Sequence, residues 1–157
     1  MNLLPKETVI HSLFDNPREQ FVIPSYQRRY AWDKSHQEAL FKDIDMLLPN
    51  EGHLFGMLIL HTGAHHGGIN EVKVVDGQQR LTTISILLQV VREKFVSLED
   101  EYRADQILQK IYCGNPDSSD KPKLVLGKLD KPDYLKLLDG QFDEIVNENI
   151  LNAYNLF

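Results

Sequence analysis

The sequence predicts an α+β domain: a small mixed sheet with covering helices, followed by a helical extension. Three observations lead there. A short β-type run, Gln20–Ile23, lies between two segments whose apolar residues recur at helical spacing. The stretch from Leu54 to Val75 holds two strand-like runs around a glycine-rich connection. From Gln78 onward the apolar spacing is mostly helical, with a single strand-like interruption at Leu124–Leu126.

The elements follow in order. Val9, Ile10, Leu13 and Phe14 predict a short helix over Lys6–Phe14, stopped near Asn16-Pro17. Gln20–Ile23 is the first strand, closed by Pro24. Asp33 is placed to cap a helix whose apolar positions are Leu40, Phe41, Ile44, Leu47 and Leu48, with Pro49 and Gly52 ending it. Leu54–His61 is an almost continuous apolar run, as expected of a buried strand, and Gly63–Asn70 reads as the loop after it. Glu71–Val75 alternates polar and apolar residues, as the returning strand of a hairpin does. Gln78–Phe95 carries Leu81, Ile84, Leu88, Val91 and Phe95 on one face, widened by Leu87 and Val90, and is the expected central helix. Ser97–Tyr112 is a further helix, Gly114–Pro122 a polar loop, and residues 131–139 and 143–156 two more helices. The stripe Val146, Ile150, Ala153 and Phe157 is still running at the last residue, which suggests the N-terminal piece of a longer protein. The expected division is residues 1–96 for the site-bearing domain and 97–157 for the extension.

Composition excludes several classes. The chain has 157 residues, 42% apolar and 25% charged, an ordinary globular balance. Its apolar runs are too short for a membrane span, and the N-terminus lacks an export signal. The single cysteine, Cys113, excludes an internal disulfide framework and a multi-cysteine zinc site. A cytoplasmic protein with no membrane partner is expected. The net charge of −6 is concentrated in the last third, so no strongly basic face binds nucleic acid by phosphate neutralisation alone.

The sharpest chemical feature is Val74-Val75-Asp76-Gly77-Gln78-Gln79-Arg80-Leu81-Thr82-Thr83. A strand ends, a glycine permits a tight turn, and a helix begins at once. Asp76 is expected to cap that helix, with Gln79 in the capping-box position. Helix N-termini present unpaired N–H groups and a positive dipole end, which favour phosphate. Gly77 allows close backbone approach, Arg80 can hold a phosphate with two donors, and Thr82 and Thr83 can add hydroxyls. The plainer alternative is an ordinary Asp-Gly turn with a cap. A second feature, Ile23-Pro24-Ser25-Tyr26-Gln27-Arg28-Arg29-Tyr30-Ala31-Trp32, interleaves aromatics with arginines, which can stack a base and pair a phosphate. Its plainer alternative is a packed aromatic segment with solvated arginines.

Taken together, Ile-Pro-x-Tyr-Gln-Arg-x-Tyr-x-Trp and Asp-Gly-Gln-Gln-Arg-Leu-Thr resemble the signature motifs of the N-terminal domain of GmrSD-type restriction endonucleases. The resemblance implies a ParB/sulfiredoxin-like fold. It implies that Asp76, Gly77, Gln78, Gln79 and Arg80 bind and hydrolyse a nucleoside triphosphate, or in another reading act as a nuclease. It places Tyr26, Gln27 and Arg28 in the same cleft, sensing nucleotide or modified DNA. It further implies a C-terminal His-Asn-His nuclease domain cutting modified phage DNA, which would lie beyond these residues.

The residues themselves suit that chemistry. Arg80 supplies charge for a phosphoryl transition state, and Gln78 or Gln79 can orient an attacking water. Asp76 can instead hold Mg²⁺ accompanying the triphosphate, in competition with its capping role. No Walker-type phosphate loop is present. The expected function is therefore an NTP-binding, NTP-hydrolysing domain of a modification-dependent restriction or anti-phage endonuclease. The alternatives are a non-catalytic DNA-sensing or docking module and a direct nuclease, with self-association left open. His65-His66 and His61 are weaker candidates, for metal binding and acid–base chemistry respectively.

Overall fold

The computed structural model describes residues 5–66, 68–114 and 121–157. It is α+β, as the sequence predicts. Its elements are α1 (Ile10–Leu13), β1 (Glu19–Val22), α2 (Lys34–Asp45), β2 (Ile59–His66), β3 (Ile69–Asp76), α3 (Gln78–Ser97), α4 (Glu101–Ile111), β4 (Leu124–Val125), α5 (Lys131–Leu138) and α6 (Glu148–Leu156). The strands form one mixed sheet in the order β2-β3-β1-β4. β2 and β3 are an antiparallel hairpin, while β1 runs parallel to both β3 and β4.

The pleat sorts the side chains. Phe21 stands opposite Val72 and Leu124, and these three, with Val74, are at most 4% exposed. They join Leu81, Ile84 and Ile86 of α3 in the main core. The other face carries Gln20, Val22, Glu71 and Val125, which line an open concavity of about 460 Å³ with Lys121 and Lys131. Ile111, Leu124, Leu126, Tyr134, Leu137, Leu138, Ile150 and Ala153 belong to the same core, so it runs without interruption past residue 96.

Several expected elements are corrected. The first helix covers only Ile10–Leu13, because Val9 provides no side-chain cap and a single turn lacks the bonds to propagate. Asp33 does cap α2, accepting from the His36 amide at 3.2 Å, but the helix stops at Asp45, short of Pro49. Of its expected apolar stripe, Leu40 is buried, while Phe41, Ile44 and Leu48 are exposed. The run Leu54–His61 is not a buried strand. Strand pairing begins only at Ile59, with Leu54 90% and Met57 72% exposed. Part of the expected loop Gly63–Asn70 is strand instead, at Gly63–His66 and Ile69–Asn70. Gly56 explains the shift: its φ of +101° turns the chain out of extended geometry. The long helical stretch after Ser97 begins only at Glu101. Leu98–Asp100 make the turn, with Asp100 capping α4 by accepting from the Arg103 amide. The loop expected over Gly114–Pro122 lies mostly outside the described residues. No described helix is long and apolar enough to cross a membrane.

Candidate functional site

Three parallel strands bring three connections to one edge of the sheet. β1, β3 and β4 all point the same way, so the segments following them emerge side by side: Ile23–Trp32, Gly77–Thr83 and Leu126–Asp130. Crevices outside the carboxyl ends of parallel strands are where open α/β sheets bind ligands. Here the crevice is lined by Arg28, Tyr30, Gln78, Gln79, Thr82 and Asp130, and is about 10 Å³, room for roughly one water.

The turn at Gly77 is built for close approach. Gly77 has φ +89°, and a Cβ there would lie 2.3 Å from Leu58 Cδ2. The strap Leu54–Leu58 therefore passes directly over the start of α3. It also reaches Arg80, whose Nη1 donates to the Phe55 carbonyl at 3.4 Å, and a Cβ on Gly56 would lie 1.9 Å from that nitrogen. The apolar run expected to be a buried strand thus covers the arginine of the motif.

Asp76 does not cap α3, contrary to expectation. It ends β3, paired with Ile59, and is exposed. The residue whose carbonyl accepts the first helical bond is Gly77, from Leu81 N at 3.0 Å, and glycine has no side chain to cap with. The capping box fails for the same reason, and Gln79 turns elsewhere. Its Oε1 accepts from the amides of Ala31 and Trp32 at 2.7 and 3.1 Å, and its Nε2 donates to the Arg29 carbonyl at 3.1 Å. Gln78 Nε2 donates to the Arg28 carbonyl at 3.1 Å, while its Oε1 has no partner among the described residues.

The two glutamines therefore fasten the aromatic–arginine segment to the first turn of α3. Gln27 adds a third tie, donating from Nε2 to the Val75 carbonyl at 2.9 Å. Tyr30 is buried, with its hydroxyl 2.8 Å from Thr83 Oγ1, and burial raises its pKa. The Thr83 hydroxyl also donates to the Gln79 carbonyl, so Thr83 serves the interior and is not brought to the surface of the site. Thr82 lines the crevice. Tyr26 is 78% exposed, and Arg28 is exposed while also lining the crevice.

Sequence reasoning missed the far wall. Asp130 Oδ2 accepts the Tyr30 amide at 2.6 Å, and its Oδ1 accepts from Arg29 Nε and Asn147 Nδ2, both at 2.9 Å. The same Asn147 nitrogen donates to the Tyr30 carbonyl at 3.1 Å. Some hundred residues of chain separate Asp130 from Arg29 and Tyr30, and no local spacing signals the contact. Of the weaker candidates, His61 is exposed on β2 and His65 bonds Asn70, while the side chain of His66 lies outside the described residues. Cys113 is buried, donates to the Glu19 carbonyl, and has its thiol pKa raised by burial, the opposite of an activated nucleophile. No group of three or more metal-ligating side chains occurs among the described residues.

The fold and the site thus define an α+β domain in which two sequence motifs are sewn together at the carboxyl ends of parallel strands. Compared with known families, residues 10–157 match the GmrSD restriction endonuclease, N-terminal domain. The chain belongs to that family, the N-terminal domain of restriction endonucleases of this type. A search of the curated proteins finds no match.

Proposed function

We propose that this domain binds a nucleoside triphosphate at the mouth of the crevice and hydrolyses it, serving a DNA endonuclease that acts on modified DNA. The observation that carries the reading is the start of α3. This helix of 20 residues has no side-chain cap at its N-terminus, and the exposed Arg28 is tied to its first turn through Gln78. Uncapped amides, the positive dipole end and a guanidinium together favour a phosphate group.

Roles follow from how each side chain is already committed. Among the described residues Arg80 is held only by a long bond to a neutral carbonyl, so a phosphate oxygen is the better acceptor. Both ends of the Gln79 amide are in use, which makes Gln78, with its unpartnered Oε1, the glutamine able to orient a water. Asp76 is exposed and released from capping, and its carboxylate suits Mg²⁺ held with waters. That ion would neutralise phosphate charge. The crevice is too narrow to enclose a nucleotide. In this reading the base and sugar therefore lie at the mouth, with the phosphates toward Arg28 and the first turn of α3, and Arg80 reaches them when the strap Leu54–Leu58 lifts.

The test is binding and phosphate release with ATP, GTP, CTP and UTP in Mg²⁺, for wild type and Arg80→Ala. Tight binding of one triphosphate, lost in the variant, is the expected result. A wild-type chain that neither binds nor hydrolyses any of the four overturns the reading. A second reading, DNA sensing without catalysis, is favoured by the exposed Tyr26 next to Arg28. It predicts salt-dependent DNA binding lost in Tyr26→Ala, with no phosphate release. A separate His-Asn-His nuclease domain would then do the cutting in either reading.

A further inference from the structure

Arg28 and Arg29 are neighbours of identical chemistry, and the fold uses them differently. Arg29 is paired with Asp130, whose side chain is 6% exposed, at 2.9 Å. Arg28 has no ion-pair partner among the described residues and lines the crevice. Asp130 lines that crevice too, and so stands within the same small space as Arg28, Gln78 and Thr82. A bare carboxylate in that wall would repel a phosphate at the mouth. It is instead surrounded by donors: the Tyr30 amide, Asn147 Nδ2 and the Arg29 guanidinium. Only the last carries charge. Arg29 is itself 45% exposed, so it supplies that charge without being fully taken from water.

We infer that Arg29 and Asp130 form a masking pair, in which Arg29 neutralises and fixes the carboxylate so that Arg28, and not its neighbour, presents positive charge to a phosphate-bearing ligand. The inference rests on the nucleotide reading above and gives Arg29 and Asp130 positioning roles. Asp130 is needed because it holds the Tyr30 backbone, and thereby the loop carrying Arg28. Arg29 is needed because Asp130 is there.

The test uses the full chain as wild type, Arg29→Gln, Arg28→Gln, Asp130→Asn and the two double variants containing Asp130→Asn. Affinity for the four triphosphates with Mg²⁺ is measured by titration calorimetry. Arg29→Gln should weaken binding roughly tenfold or more by unmasking a like charge. Adding Asp130→Asn should bring it back to within about threefold of wild type, since the pair is then neutral and the new side-chain amide retains an acceptor for the Tyr30 N–H. Arg28→Gln should weaken binding without such rescue. A clamp with only a structural role predicts the opposite for the first double variant, binding no better than Arg29→Gln, and that result overturns the inference. A ligand-free measurement keeps the pair testable by itself: hydrogen exchange at the Arg29 Nε–H, followed by NMR in wild type and Asp130→Asn. Exchange should be slowed in wild type and speed up roughly tenfold in the variant, as the charge-assisted bond weakens to a neutral one. Equal exchange in the two overturns the masking pair, whereas a wild type that binds no triphosphate while the protection is present overturns only the nucleotide reading.

Discussion

Replacing Gln79 by methionine should be among the more damaging single changes near the site, although it keeps the side chain's length and removes no apolar contact. The Gln79 amide makes three hydrogen bonds to the backbone of Arg29, Ala31 and Trp32. Methionine supports none of them. At about 1 kcal/mol for each neutral bond, the loss is about 3 kcal/mol. For a chain of this size that lowers Tm by roughly 6–12 °C. Gln78→Met is the matched comparison, since Gln78 makes one such bond, to the Arg28 carbonyl. It should cost about 1 kcal/mol, or roughly 2–4 °C. Thermal unfolding followed by far-ultraviolet circular dichroism gives the stabilities. The fluorescence of Trp32, the only tryptophan, reports on the loop that Gln79 holds. Equal shifts for the two variants, or a Gln79→Met protein whose Tm matches wild type, would refute the idea that Gln79 fastens the two motifs together.

Other expectations follow from single features. Gly77→Ala should destabilise by roughly 1–3 kcal/mol, because a φ of +89° and the contact with Leu58 both exclude a Cβ; limited proteolysis should then cut faster at Met57 as the strap lifts. Asp33 has its pKa lowered to about 2 by hydrogen bonds from Ser35 and His36. Its stabilising effect is therefore complete above the ordinary carboxylate range and lost as pH falls toward 2, so Asp33→Ala should flatten that part of an acid-unfolding curve. Burial raises the Tyr30 pKa from the ordinary value of 10.0, so its neutral phenol stabilises the fold below that pH and the contribution is lost as pH climbs above it. Tyr30→Phe should cost about 1–2 kcal/mol at neutral pH through the lost bonds to Thr83 and Gln37. It should also blunt alkaline unfolding in a pH series.

What can be read from the sequence is what adjacent residues decide. Asp33 three residues before His36 is a cap wherever a helix follows, and the apolar density of Gln78–Phe95 leaves little choice but a central helix. The closeness of the two motifs is implied by the family resemblance alone; the parallel pairing of β1 and β3, which makes their following loops neighbours, joins strands far apart in sequence and is not legible from local pattern. The errors lie where distant chain decides. Leu54–His61 has strand composition, yet Gly56 and the need to cover Arg80 and Gly77 draw its first half out of the sheet. Asp76 looks like a cap because Asp commonly is one, but β3 holds it through its pairing with Ile59, one residue too early. Asp130 and Asn147 give no signal, because their partners at Arg29 and Tyr30 are remote in sequence.

That remoteness bears on the helical extension. If residues 97–157 were an appendage, a 1–96 fragment would fold and keep its site. The structure argues otherwise on two counts. Eight residues of the main core come from beyond residue 96: Ile111, Leu124, Leu126, Tyr134, Leu137, Leu138, Ile150 and Ala153. Seven of these are of Leu or Ile size or larger, and at about 1.5–3 kcal/mol each their burial amounts to roughly 10–21 kcal/mol, as large as the roughly 5–15 kcal/mol that holds a typical domain together. The fragment would also lose β4, leaving β1 as a bare edge, along with the Asp130 and Asn147 contacts that hold Tyr30. Expressed alone, residues 1–96 should give poorly dispersed amide NMR spectra and no cooperative thermal transition. A dispersed spectrum with a sharp transition would mean that the first two-thirds of the chain form the site unaided, and that the Asp130 wall is an addition to it.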